Sequence, residues 1–143
     1  MTFSKSFILE KLTELKKYET ELEGFLSFSD EEILNDTGKM HIAERLLQLI
    51  VDIMLDVNQH IIKELKLKAA EDFQSTFYIL GRSGVLSSDF AAQIAPIVGL
   101  RNRVVHGYET LNKELFIKSL RENCNDFDGY IQLIHQYLEK AHW

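Results

Sequence analysis

The sequence predicts an all-α fold, an antiparallel helical bundle of four to five helices. Breakers are scarce, with one proline and seven glycines in 143 residues, which favours long helices over a many-turned sheet. Apolar residues recur at three- and four-residue spacing through every long segment. Small polar residues of the kind that cap helices stand between those segments. An apolar content of 45% with 27% charged residues suits one globular domain spanning 1–143. It excludes a disordered chain, a collagen and a disulfide scaffold.

The first helix is predicted from about Thr2 to Ser27, with Phe3, Phe7, Ile8, Leu12, Leu15, Leu22, Phe25 and Leu26 on one face. Ser29 and Glu32 are spaced as a capping box and start a short helix through Leu34. Asn35 to Gly38 loosens the chain, and a long helix resumes from Met40 to about Leu65. Its wide stripe includes Ile42, Leu46, Leu47, Ile50, Ile53, Met54, Val57, Ile61 and Ile62, so it should be the most buried helix. Glu71 to Leu80 reads as a shorter helix with Phe73, Phe77 and Tyr78 inward, stopped by Gly81 to Gly84. Ser88 is the expected cap of the next helix, Pro96 should kink or restart it, and Gly107 should end it. Asn112 is placed to cap a last helix running to about Ala141, with Leu115, Phe116, Leu120, Cys124, Phe127, Ile131, Ile134 and Leu138 at helical spacing.

The net charge of −6 is the wrong sign for holding nucleic acid by bulk electrostatics, so any such activity must rest on a local site. Seven acidic residues and no Lys or Arg fall between Glu19 and Asp36. That run reads as a solvated face in preference to a surface for a basic partner. Cys124 stands alone, which suits a reducing cytoplasm. The longest near-apolar stretch, Leu46 to Leu55, is broken by Gln48 and Asp52, so no membrane span is expected. A cytoplasmic protein is the expectation.

One stretch gathers chemistry: Gly99-Leu100-Arg101-Asn102-Arg103-Val104-Val105-His106-Gly107-Tyr108. On a helix Asn102 and His106 share a face, while Arg101 lies about 140° from His106 around the axis. Val104 and Val105 should pack inward. A histidine titrates near neutrality and can take a proton from a ribose 2′-hydroxyl or give one to a leaving oxygen. Arginine stays charged and offers a fork of donors to phosphate oxygens. Taken alone, the spacing also fits a polar helix end with surface arginines.

The stretch matches R-x4-H-x-Y, and the chain resembles the HepT-like branch of the HEPN domains. The resemblance extends to Ala43 to Gln48 and Asp56 to Ile62 in the long middle helix, to Gly84-Val85-Leu86-Ser87, and to the last helix. It implies a helical bundle that dimerises, with the two motif helices facing one cleft. It implies a metal-independent endoribonuclease, the toxin of a toxin–antitoxin pair, with Arg101, His106 and Asn102 catalytic. It implies an antitoxin that looks like a minimal nucleotidyltransferase and silences the toxin by adding AMP to Tyr108. In so acidic a chain, RNA must be held by a few cations, for which Arg103 and Arg82 are candidates beside Arg101. The alternative is a non-catalytic HEPN module that binds a nucleotide or a protein.

No cofactor and no metal are expected. His41 with Glu44 and His60 with Glu64 have metal-like spacings, but the inward Glu-x-x-His order of metal-binding bundles is absent. His60 reads as a helix-face residue bordering the cleft, and His135 as half-buried. Cys124 reads as a core residue. Tyr78, Tyr130 and Tyr137 read as bundle tyrosines with wet tips. His142 and Trp143 are terminal.

Overall fold

The computed structural model describes residues 5–107 and 111–141. They form seven helices: α1 Lys5–Phe25, α2 Asp30–Leu34, α3 Thr37–Glu64, α4 Phe73–Arg82, α5 Ser88–Ile94, α6 Ile97–His106 and α7 Lys113–Lys140. There is no strand among the described residues.

The three long helices make the body. The Lys5 ammonium at the start of α1 donates to the carbonyl of Ala141 beyond the end of α7. Arg121, early in α7, donates to the carbonyl of Leu26 just past α1. Those contacts fix α1 and α7 as antiparallel. Lys11 on α1 pairs with Asp56 late in α3, so α1 is antiparallel to α3 as well. Hence α3 and α7 run the same way, and α4, α5 and α6 form the connection that permits it. Each long helix buries one stripe, with Leu12, Leu15, Leu22, Leu47, Ile50, Met54, Phe116, Phe127 and Ile134 at 2% exposure or less.

One network of buried polar side chains crosses the body. The Tyr130 hydroxyl donates to Asn58 Oδ1 at 2.5 Å. Asn58 Nδ2 donates to Thr76 Oγ1 at 3.0 Å, and Thr76 donates to the carbonyl of Phe73. The chain of bonds ties α7, α3 and α4 together. Tyr130 therefore has no wet tip: it is fully buried, and burial pushes its hydroxyl well above its ordinary pKa.

Most starts and stops fall where the residues direct them. Ser29 and Glu32 form the reciprocal capping box, and Asn112 caps α7. Pro96 separates α5 from α6, and α6 ends at Gly107. Two starts differ. Asp36 caps α3, so Thr37 and Gly38 belong to the helix. Ser87, not Ser88, caps α5, because its hydroxyl is the one three residues from the Phe90 amide it accepts.

Several residues expected inside are outside. Ile42 is 52% exposed, Leu115 48%, Phe73 45% and Tyr78 37%. Ile42 and Leu115 lie at the edges of the α3 and α7 stripes, while Met40, Ala43, Phe116 and Ile117 close by in sequence are buried. On α4 the covered face is Thr76, Phe77, Leu80 and Gly81, set by close contact with α5, where a Cβ on Gly81 would come within 2.9 Å of Ala91 Cβ. His135 is exposed. The acidic run is not wholly solvated, because Glu19 is fully buried, with Lys16 3.0 Å from its Oε2. No helix among the described residues is long and apolar enough to cross a membrane.

Candidate functional site

The motif residues occupy α6, a ten-residue helix that Pro96 starts and Gly107 ends. Val98, Leu100 and Val104 are buried and seat it on the body, chiefly against α3. Val105 is half-buried, while Asn102, Arg103 and His106 are exposed. Asn102 and His106 are four residues apart in one helix and share its outer face.

Arg101 turns the other way. Its Nε donates to Asp52 Oδ1 at 3.0 Å, and Nη2 lies 2.9 Å from the same oxygen. Its Nη1 donates to Asn102 Oδ1 at 3.2 Å. The Arg101 side chain is 15% exposed. Asp52 of α3 therefore fixes Arg101, and Asn102 links it to the face that carries His106. Sequence reasoning missed Asp52, which stood out only as an interruption of an apolar stretch. A carboxylate on the side of α3 that meets the motif helix was the available signal.

Not every candidate joins this group. Arg82 ends α4 and is exposed, lining a second groove with Tyr78 and Ser83. The other end of α4, at Phe73, lines the same open space as Asn102. Nine residues of helix, about 14 Å of rise, separate the two ends. Arg103 is on the outer surface of α6 beside the group. Tyr108 lies outside the described residues, as do His142 and Trp143. His60 stacks on Phe7 of α1 with ring centroids 4.5 Å apart, and burial lowers its pKa. Its neighbour Gln59 reaches the open space next to Asn102.

One cluster among the described residues has metal-ligand spacing: Glu19, Glu23 and Cys124, whose ligand atoms lie within 4.8 Å of one another. Lys16 already supplies positive charge there through Glu19. Burial, then Glu19 and Glu23, push the Cys124 thiol up to about 11, so it is a protonated core thiol and a poor nucleophile.

Comparison with known proteins agrees with the motif. The family model for HepT-like ribonucleases matches residues 8–137. A tRNA nuclease HepT from Aphanizomenon flos-aquae is 34% identical over 140 residues, covering 96% of this chain and 95% of that protein. An mRNA nuclease HepT from Shewanella oneidensis is 25% identical over 88 residues, 62% of this chain and 66% of that one. Among solved structures, a tri-AMPylated HEPN toxin of Shewanella oneidensis in complex with an MNT antitoxin superposes with a TM-score of 0.85 at 20% identity. It covers 93% of this chain and 99% of its own. A cytosolic protein of unknown function, YutE from Bacillus subtilis, superposes with a TM-score of 0.82 at 17% identity, covering 97% and 94%. The chain belongs to the HepT-like ribonuclease family.

Proposed function

We propose that the protein is a metal-independent endoribonuclease acting as the toxin of a toxin–antitoxin pair. The observation that carries this is the arrangement on α6: Arg101 fixed by Asp52 and joined through Asn102 to the exposed face of His106. The named nuclease activities of the tRNA- and mRNA-cutting relatives support it. His106 moves the proton of the ribose 2′-hydroxyl, and the 2′-oxygen attacks the adjacent phosphorus. The 5′-oxygen leaves with a proton, giving a 2′,3′-cyclic phosphate and a 5′-hydroxyl. Arg101 and Arg103 stabilise the charge that grows on the phosphate oxygens. Asn102 orients the substrate or His106. Two copies pair with their motif helices facing one cleft, so that Arg101 of one chain serves beside His106 of the other.

Silencing falls to a minimal nucleotidyltransferase antitoxin that places AMP on Tyr108, two residues past His106. The AMPylated, MNT-bound Shewanella toxin of the same fold supports this. The added charge and bulk exclude RNA. The competing reading, a non-catalytic binding module, draws on the neutralisation of Arg101 by Asp52 and on the acidic net charge.

Purified parent, His106→Ala and Tyr108→Phe proteins incubated with RNA, with and without prior exposure to the antitoxin, decide between them. Parent and Tyr108→Phe should cut, His106→Ala should lose about 10²–10⁴-fold in rate, and Tyr108→Phe should resist silencing. A folded His106→Ala protein that cuts like the parent rejects the catalytic role. A parent that binds RNA without cutting it favours the module.

A further inference from the structure

A cavity of about 860 Å³ opens where α3 ends, walled by residues 66, 67 and 69–72, the start of α4 and one side of α6. Its size falls in the range of small-ligand sites. Val98 and Asn102 line it, and His106 continues the same helical row one turn further. The cavity and the proposed cleavage site are thus successive stations on one face of α6, with Asn102 common to both.

Its lining is mixed. Phe73 lies at the head of α4, 45% exposed, and lines the cavity. Gln59 and Gln74 offer amides, and Lys63 and Lys66 offer ammonium groups. Glu71 and Asp72 line it as well, so the formal charge sums to zero. Asp72, however, is committed to capping α4 through the Ser75 amide and hydroxyl. This is no bulk anion trap. It suits a ligand with a flat ring, a hydrogen-bonding edge and one phosphate.

The backbone adds a second observation. Lys66 follows the C-cap of α3 with φ 56°, and the Leu67 amide closes back onto the Ile62 carbonyl. Glycine is the relaxed residue at such a position. The chain holds an ammonium there against backbone strain, at the rim of a cavity next to the motif helix, and strained residues of this kind gather at ligand sites.

We infer that this cavity receives a nucleoside of the RNA chain next to the scissile phosphate, its base against Phe73 and the Gln59 and Gln74 amides, its own phosphate at Lys63 and Lys66. The inference rests on the ribonuclease reading above. It makes the α3–α4 corner a determinant of which position in an RNA is cut.

The test uses full-length protein carrying His106→Ala, so that a short single-stranded RNA stays intact, with binding read by fluorescence anisotropy. Loss of one base–aromatic stack weakens binding by roughly 5- to 150-fold. Phe73→Ala should therefore bind about tenfold or more weakly, with an unchanged circular dichroism spectrum, and Phe73→Tyr should restore binding. With His106 intact, Phe73→Ala should raise KM and alter the preferred cut position. Lys66→Gly should melt higher, by roughly 2–4 °C, yet bind RNA more weakly. If the parent cuts RNA while Phe73→Ala binds and cuts as the parent does, the nucleoside site is wrong and the ribonuclease reading stands. If the parent neither binds nor cuts, both fall. If Phe73→Ala dissociates a dimer in sedimentation and leaves RNA affinity unchanged, the cavity is covered by a second copy, which overturns the proposal.

Discussion

Two arginine–aspartate pairs in this molecule are held in different ways. Arg121 on α7 gives Nε to Asp30 at 2.7 Å and its other two nitrogens to the backbone carbonyls of Leu26 and Phe28. It closes the turn between α1 and α2 onto α7. Arg101 on α6 is bonded to side chains, the Asp52 carboxylate and the Asn102 amide. Exposure does not tell them apart in the expected direction, since Arg121 is 35% exposed and Arg101 15%. The partners do. Backbone carbonyls release a guanidinium only if the turn comes apart, whereas a carboxylate and an amide can yield to a phosphate without unfolding anything. That contrast is why Arg101 is the arginine proposed to meet a phosphate and Arg121 the one expected to staple the turn.

That difference is open to direct attack. Arg101→Ala should lower RNA cleavage by about 10²–10³-fold with little change in the denaturation midpoint. Arg101→Lys should recover only part, because the two-pronged contact is lost. Arg121→Ala should do the reverse, costing about 2 kcal/mol of stability for three partly solvated charge-assisted bonds while the folded fraction keeps its activity. Urea titrations and single-turnover rates on both variants separate the two patterns. If both variants lose stability and keep their rate, Arg101 is a staple as well.

A smaller effect sharpens the role of Asp52. Removing it leaves Arg101 without its anchor, and misplacement of a catalytic group costs up to about 10²-fold. Asp52→Ala should reduce kcat by roughly 10-fold or more. Asp52→Asn should stay near the parent, because an amide oxygen can still accept from Nε. An Asp52→Ala enzyme with the parental kcat would show that Arg101 needs no such support.

The least of the expected effects concerns Glu19, near the Arg121 side of the body. Burial raises its pKa above the ordinary carboxylate value, against the pull of Lys16. The unfolded chain releases this proton near pH 4.3, and the folded chain releases it at a higher pH. Stability from the protonated form is present below that window and is lost as pH rises through the folded pKa. Glu19→Gln should remove this loss, so its urea midpoint should gain on the parent as pH rises above about 4. A gap that shrinks over that range would show that Lys16 outweighs burial.

The helices and most of their caps were legible because they depend on neighbours in sequence. The Ser29–Glu32 box, the Asn112 cap and the restart at Pro96 all follow from spacing. The exceptions mark where tertiary contact decides. Two adjacent serines could each cap α5, and only the start of the first turn selects Ser87. Ile42 and Leu115 look buried by period and are exposed because they sit at the edges of their stripes, where the packing of neighbouring helices sets the limit. Tyr130 loses its wet tip because Asn58, 72 residues away in sequence, meets its hydroxyl. In the site, R-x4-H was readable as a motif and Asn102 with His106 as one face. Asp52 was not, since it meets Arg101 across 49 residues. The cavity was hidden for the same reason, being assembled from α3, α4 and α6.

The central claim is that His106 and Arg101 cut RNA through its own 2′-hydroxyl. It is tested most directly by the ends of the product. Purified protein and a defined RNA are incubated in excess EDTA, and the fragments are resolved by mass spectrometry. The account predicts undiminished cleavage, upstream fragments ending in a 2′,3′-cyclic phosphate and downstream fragments beginning with a 5′-hydroxyl, none of which a folded His106→Ala protein produces. Cleavage that stops with EDTA, or fragments with a 3′-hydroxyl and a 5′-phosphate, would contradict it.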